Sequence, residues 1–291
     1  MKNKSLYHIR NLYCQYETSP FPVLYVEELD IEPGSVVFIV GPSGVGKSTI
    51  LETLGLMNNT IKENGNTVFE FSNHHEKNQD LSALWQKKEK EIASFRRKHL
   101  SFIFQNTNLF PTLTVYENIV LPALLQGFSK HEAIKKAREI LSEIAPNVNG
   151  HKNIVEISGG ERQRVSFARS IIAKSSILFA DEPTGNLDVS NAANLMNKLM
   201  NHLHQNNSTA VIVTHDIDLT VKHADKIVFI SKQTLEDNEN YSYGLITKGS
   251  TFEKVDDRWR HLSDHDGYWS KQELYHYLKE VLESNRQIEH V

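Results

Sequence analysis

Eight residues, Gly41-Pro42-Ser43-Gly44-Val45-Gly46-Lys47-Ser48, follow directly on the apolar run Val36-Val37-Phe38-Ile39-Val40 and constrain the fold more than any other stretch. Apolar run, glycine-rich turn and helix-forming segment, in that order, give strand, loop and helix. That is the context in which a G-x-x-x-x-G-K-[ST] pattern binds phosphate. Backbone N–H groups can turn inward around a triphosphate only where side chains are small, and the helix that follows aims its positive dipole end at the anion. Lys47 then reaches the outer phosphates as a point charge, and the Ser48 hydroxyl is placed to ligate Mg²⁺. An ordinary glycine-rich turn would not need all four fixed positions filled. The pattern implies binding of a nucleoside triphosphate.

At 291 residues, with 39% hydrophobic and 23% charged residues, the chain can bury a substantial core in one large or two ordinary domains. The balance of 32 basic against 36 acidic residues, net −4, argues against non-specific nucleic-acid binding. A single cysteine, Cys14, cannot form an internal disulfide and fits a reducing cytoplasm. No apolar run approaches the roughly 18 residues that span a bilayer. The basic start Met1–Ser5 lacks an apolar h-region, so no secretory signal is expected. Any membrane contact is therefore expected from the water side, through a partner.

Residues 5–40 read as short β segments around a Pro33-Gly34 turn, and a helix is expected from Lys47 to about Leu56. Residues 72–92 read as a charged surface insertion. Its adjacent His74 and His75 lack the neighbouring ligands of a metal site. Leu100–Phe104 reads as a strand ending at Gln105, and residues 114–144 as helix with a break or kink at Pro122. Ile177–Ala180 and Ala210–Val213 are continuous apolar runs, as expected of parallel strands covered on both faces. The alternation of strand and helix predicts an α/β fold built from βαβ units, a catalytic domain over 1–232 and an extension over 233–291. In that extension Ser270 and Glu273 form a capping box, and Leu274, Leu278, Val281 and Leu282 line one helix face, which favours packing on the chain's own domain.

The apolar run 177–180 delivers Asp181 and Glu182 at its C-terminal end, where open α/β sheets bind ligands. Asp181 is placed to hold Mg²⁺ through water, and Glu182 to orient or deprotonate an attacking water. Ser158-Gly159-Gly160-Glu161-Arg162 opens another helix with exposed backbone donors. N-capping alone accounts for Ser158 but not for two glycines, which weaken helices.

Gly41–Ser48, Gln105, Ser158–Arg162, Asp181-Glu182, Asn186-Leu187-Asp188 and His215 stand in the order and rough spacing of the ATP-binding cassette ATPases, and residues 5–232 resemble that family. The resemblance implies a P-loop NTPase core with a parallel sheet, an N-terminal antiparallel β subdomain and an α-helical signature subdomain. It implies a Mg²⁺-dependent ATPase that forms a head-to-tail homodimer around two ATP molecules. Gly41, Pro42, Ser43, Gly44, Val45, Gly46, Lys47, Ser48 and Thr49 of one subunit would face Ser158, Gly159, Gly160 and Glu161 of the other across each ATP. Tyr16 resembles the aromatic that stacks on adenine, with Tyr13 the second choice. Gln105 resembles the glutamine that reaches Mg²⁺ and the attacking water. Asp188 resembles the acid that crosses the dimer interface, and His215 the histidine that contacts the γ-phosphate. Gln105–Ile119 and Gly185–Asp188 are similar to the LolD/MacB/FtsE branch, which implies a separate transmembrane permease and a place on the cytoplasmic face of the cell membrane. The alternative within that branch is a regulatory ATPase of the FtsE kind that moves no substrate. Leu109, Phe110, Leu113, Val115 and Ile119 give the 105–121 segment more apolar surface than a solvated loop carries, which marks it as the expected permease contact.

Overall fold

The computed structural model describes residues 5–62, 65–73, 78–185, 187–235, 238–263 and 267–284; His74, His75 and Asn186 lie outside them. Along the chain the elements are β1 (Tyr7–Cys14), β2 (Leu24–Ile31), β3 (Val36–Val40), α1 (Lys47–Leu54), β4 (Ile61–Lys62), β5 (Val68–Phe71), β6 (Gln79–Asp80), α2 (Leu81–Leu84) and α3 (Glu89–His99). Next come β7 (Leu100–Ile103), α4 (Val115–Leu125), α5 (Lys130–Ile144), α6 (Gly159–Ile171), β8 (Ile177–Asp181), α7 (Val189–Gln205) and β9 (Thr209–Val213). They are followed by α8 (Ile217–His223), β10 (Lys226–Phe229), β11 (Ser231–Leu235), β12 (Asn238–Ile246), β13 (Thr251–Val255), β14 (Arg258–His261), β15 (Tyr268–Trp269) and α9 (Lys271–Ser284). Residues up to Ile92 and from Val211 onward make one compact unit, and Ala93–Ala210 the other.

The first unit carries a sheet in the order β11-β12-β2-β1-β5-β6, with β4 also on β1. Its pairings are antiparallel except for β12 on β2. Burial along β1 largely alternates, the mark of a sheet covered mainly on one face. In the same unit β10 pairs parallel with β3, and β13, β14 and β15 continue antiparallel from β10. β3, β9 and β10 are buried at every position, as continuous apolar runs require. Lys226, almost fully buried on β10, is neutralised by Glu32 at 2.7 Å and Glu253 at 3.1 Å, which fastens β13 beside the parallel strands. The 232/233 boundary expected from sequence falls inside β11.

In the second unit β7 and β8 pair in parallel from Leu100↔Ile177 to Ile103↔Ala180. Helices α4, α5 and α6 pack on one another. Helix α4 continues through Pro122 to Leu125 and is capped at Gln126, with Gly127 at φ 91°. Ser129 then caps α5. The break expected at Pro122 therefore comes at a glycine that adopts the left-handed conformation at little cost.

Beyond β12 the chain stays in the first unit. Trp259 on β14 is fully buried, and Trp269 meets Tyr277 edge-on at 4.9 Å. Leu274, Leu278 and Val281 bury the apolar face of α9 against α8, β14 and β15, so this helix packs on its own unit. Leu278→Ala should lower unfolding free energy by about 2–5 kcal/mol through the lost transfer energy and the cavity left behind. Urea unfolding followed by circular dichroism measures that loss.

Candidate functional site

In the first unit the phosphate loop leaves β3 at Gly41. A Cβ at Gly41 would lie 2.8 Å from the Ile230 carbonyl oxygen, so the loop starts against the chain that follows β10. Gly44 (φ 75°) and Gly46 (φ 100°) hold left-handed backbone conformations that side chains resist. Lys47 curls back over the loop, its ammonium donating to the carbonyl oxygens of Gly41 and Pro42, each at 2.8 Å. Ser43 and Gly44 are exposed, as is Ser48 at the start of α1, while Gly41, Val45, Gly46 and Thr49 are buried. Helix α1 has no side-chain cap at Gly46 and no acid in its first turn. Its positive end is therefore left for an external anion.

The half-buried Tyr16 lies against α1, its hydroxyl 3.1 Å from Thr49 Oγ1 and donating to Glu52 Oε2 at 3.3 Å. Burial raises the pKa of that hydroxyl. Tyr13 is stacked on Tyr25 at 4.1 Å, an engagement that leaves Tyr16 as the aromatic beside the loop's helix. Thr214 donates its N–H to the Ile39 oxygen at 3.2 Å, which places the exposed His215 one residue beyond a strand contact and level with the start of the loop. Asp216 caps α8 by accepting the Leu219 N–H at 2.9 Å.

In the second unit the register Ile103↔Ala180 carries Gln105 and Glu182 two residues past the same end of the β7–β8 pair. Asp181 ends β8 half-buried. Glu182 adopts φ 43°, and its carbonyl accepts the Gly185 N–H at 3.1 Å. A left-handed glutamate costs about 1–3 kcal/mol and persists where surroundings enforce it, commonly at working sites. The side-chain amide of the buried Gln163 donates to the Pro183 carbonyl, tying α6 to the turn that holds Glu182.

Ser158 caps α6. Its N–H donates to Glu161 Oε2 at 2.7 Å, and its hydroxyl accepts the Glu161 N–H at 3.3 Å. Those bonds to Ser158 lower the Glu161 pKa. A Cβ at Gly159 would meet nothing within 4 Å, and one at Gly160 would only touch Leu187 at 3.4 Å. Neither glycine has a positive φ. Asp188 caps α7, accepting the Asn191 N–H at 3.0 Å and its side-chain amide at 2.6 Å, and these bonds lower its pKa.

Sequence reasoning missed the groups that shape the loop after Gln105. Arg169 on α6 donates to the Asn108 oxygen at 2.7 Å and the Thr107 oxygen at 2.8 Å. Fully buried Asn118 accepts the Phe110 N–H at 2.8 Å and donates to the carbonyls of Phe110, Leu113 and Thr114. An asparagine on the apolar face of a predicted helix was the available signal for Asn118. Leu109 and Leu113 are half-exposed and Phe110 is 49% exposed, whereas Val115 and Ile119 are buried.

An uncapped helix behind a glycine loop on buried parallel strands, with two acids at the end of another such strand, defines a P-loop nucleoside triphosphatase with a helical subdomain. The chain belongs to the ABC transporter family, whose pattern matches residues 26–185. It is an ATP-hydrolysing, nucleotide-binding subunit. It is 39% identical over 226 residues to the bacitracin export ATP-binding protein BceA of Halalkalibacterium halodurans, covering 76% of this chain and 83% of that one. It is 36% identical over 209 residues to the lipoprotein-releasing system ATP-binding protein LolD of Bacteroides thetaiotaomicron, covering 72% and 90%. Among solved structures it resembles a dimeric ATP-binding cassette in a post-hydrolysis state bound to ADP and Pi. The TM-score is 0.64 at 28% identity, over 77% of this chain and 93% of that one.

Asn118→Ala should cost about 1–3 kcal/mol by leaving buried polar groups unpaired. Exchange of the Phe110 amide hydrogen, measured by NMR or mass spectrometry, should accelerate in that variant.

Proposed function

We propose that two copies of this chain close head to tail around two ATP molecules and drive a separate membrane permease of the lipoprotein-release or macrolide-efflux type. The observation that carries the head-to-tail reading is the bare start of α6. Neither backbone conformation nor packing within the chain calls for glycine at 159, yet glycine there weakens the helix. Space for a close-approaching external group accounts for it, and a helix start suits an anion. A nucleotide held by Gly41–Thr49 of a second copy is such a group.

Within that reading the loop amides and Lys47 hold the phosphates, Tyr16 supports the base, and His215 meets the γ-phosphate. Glu182 orients the attacking water and accepts its proton, and Gln105 lies beside that water. Asp188, anchored as the cap of α7, lies at the dimer interface. Serine hydroxyl, carboxylate and amide oxygen are hard donors that suit Mg²⁺. Ser48, Asp181 and Gln105 are the residues that would hold it; when bound, the ion neutralises phosphate charge. No helix among the described residues is long and apolar enough to cross a membrane. Contact with the membrane through the permease, at its cytoplasmic face, fits that finding. The exposed ring of Phe110 and the half-exposed Leu109, on a loop held by Arg169 and Asn118, supply a docking surface.

Glu182→Gln should lower ATP turnover by about 10²-fold or more while leaving ATP binding intact. With ATP and Mg²⁺ at high protein concentration it should accumulate as a dimer in light scattering; a persistent monomer would count against the sandwich. Leu109→Glu should leave basal hydrolysis near wild type and abolish co-purification with the permease. Unchanged membrane association would place the docking surface elsewhere.

A further inference from the structure

Gly244 lies on β12, outside the 26–185 stretch that matches the family and far along the chain from the nucleotide motifs. It is buried between β11 and β2, pairing with Lys232 on one side and Leu24 on the other. Its φ is not positive, so backbone conformation does not call for glycine. Close approach does. A Cβ at this position would fall far inside contact distance of the Val45 carbonyl oxygen, in the middle of the phosphate loop. It would also lie 2.8 Å from Ile230 Cγ2 and 2.9 Å from Leu24 Cδ1. Glycine inside a strand commonly marks such an approach of another backbone. The neighbouring contacts converge on the same loop. Gly244 donates its N–H to the Val23 oxygen at 2.8 Å, and a Cβ at Gly46 would lie 3.4 Å from that same oxygen.

We infer that Gly244 is a positioning residue for nucleotide binding: its bare backbone is the seat against which Val45 sets the curvature of the phosphate loop. Side chains can rearrange around added volume, whereas a backbone carbonyl cannot retreat without moving the loop. A methyl group at 244 therefore displaces Val45, and with it the amides of Gly44, Gly46 and Lys47 that face the phosphates. The inference rests on Gly41–Ser48 being the nucleotide loop, which Lys47→Ala tests separately.

The experiment compares ATP affinity and melting temperature in five proteins: wild type, Lys47→Ala, Gly244→Ala, the pair Leu24→Ala/Ile230→Ala, and that pair combined with Gly244→Ala. The pair removes Leu24 Cδ1 and Ile230 Cγ2 and leaves the collision with Val45 in place. A misplacement near 1 Å costs about 10- to 100-fold in a positioned site, so Gly244→Ala should weaken ATP binding and raise the ATP KM by that order, with kcat changed much less. In the Leu24→Ala/Ile230→Ala background, adding Gly244→Ala should lower melting temperature less than it does in wild type, yet weaken ATP binding as much. Wild-type affinity in a folded Gly244→Ala protein overturns the inference, as does a Gly244→Ala loss of affinity that vanishes in the Leu24→Ala/Ile230→Ala background. Loss of binding in Lys47→Ala alongside wild-type binding in Gly244→Ala would refute the seat while leaving the loop assignment standing. If neither Gly244 variant folds, hydrogen exchange on the wild-type protein decides. ATP should slow exchange at the amides of 243–246 together with 44–47, and unchanged exchange at 243–246 overturns the proposal.

Discussion

The structure turns on one helix that lacks what its neighbours have. Helices α4, α5, α6, α7 and α8 each begin at a Thr, Ser or Asp whose side chain accepts a backbone N–H of the first turn. Helix α1 begins at Gly46, with no side-chain acceptor and no acid in its first turn. A side-chain cap is worth about 1 kcal/mol. Omitting it is tolerable only because β3, buried at all five positions, and Ile50, Leu51 and Leu54 anchor both sides of the loop. Strand burial supplies the rigidity and the helix end supplies the field.

A second consequence of that division of labour is seen in the other unit. Glu182 sits in a left-handed conformation that glutamate does not prefer, and the Gln163–Pro183 bond braces the turn that follows it. Arg169 and Asn118 fix the loop after Gln105 through backbone carbonyls and the Phe110 N–H, not through side-chain partners. Contacts to backbone set the path of a loop whatever side chains it displays. The exposed Phe110 is thus presented on a held chain.

How much of this could be read from sequence depended on how local the causes are. The phosphate loop, the strand ending in Asp181 and the capping box at Ser270 and Glu273 are decided by residues within a few positions of one another, and the sequence displays them. The same Ser/Thr-x-x-Glu spacing at Thr114–Glu117 and Ser129–Glu132 was available and marks the true starts of α4 and α5. Pro122 drew the predicted break because a proline inside a helix loses a hydrogen bond, yet the turn depends on Gly127. Strands β13 to β15 went unread because their sequences are charged and short, and their order comes from pairing outward from β10. Arg169 reaches a loop 61 residues away, a contact no local pattern announces.

The parallel pairings of β3 with β10 and of β2 with β12 join segments far apart in the sequence. During synthesis β3 and the glycine loop leave the ribosome well before β10 and β12, the strands that complete their surroundings. Contacts of such long sequence separation form slowly, because loop closure precedes their reward. The nascent chain therefore carries five consecutive apolar residues, Val36–Val40, without their final cover until β10 has been made. Exposed strand edges of that kind aggregate. A cassette of this topology becomes competent for nucleotide only once β10 and β12 have been made, and until then its most apolar strand lacks its final partners.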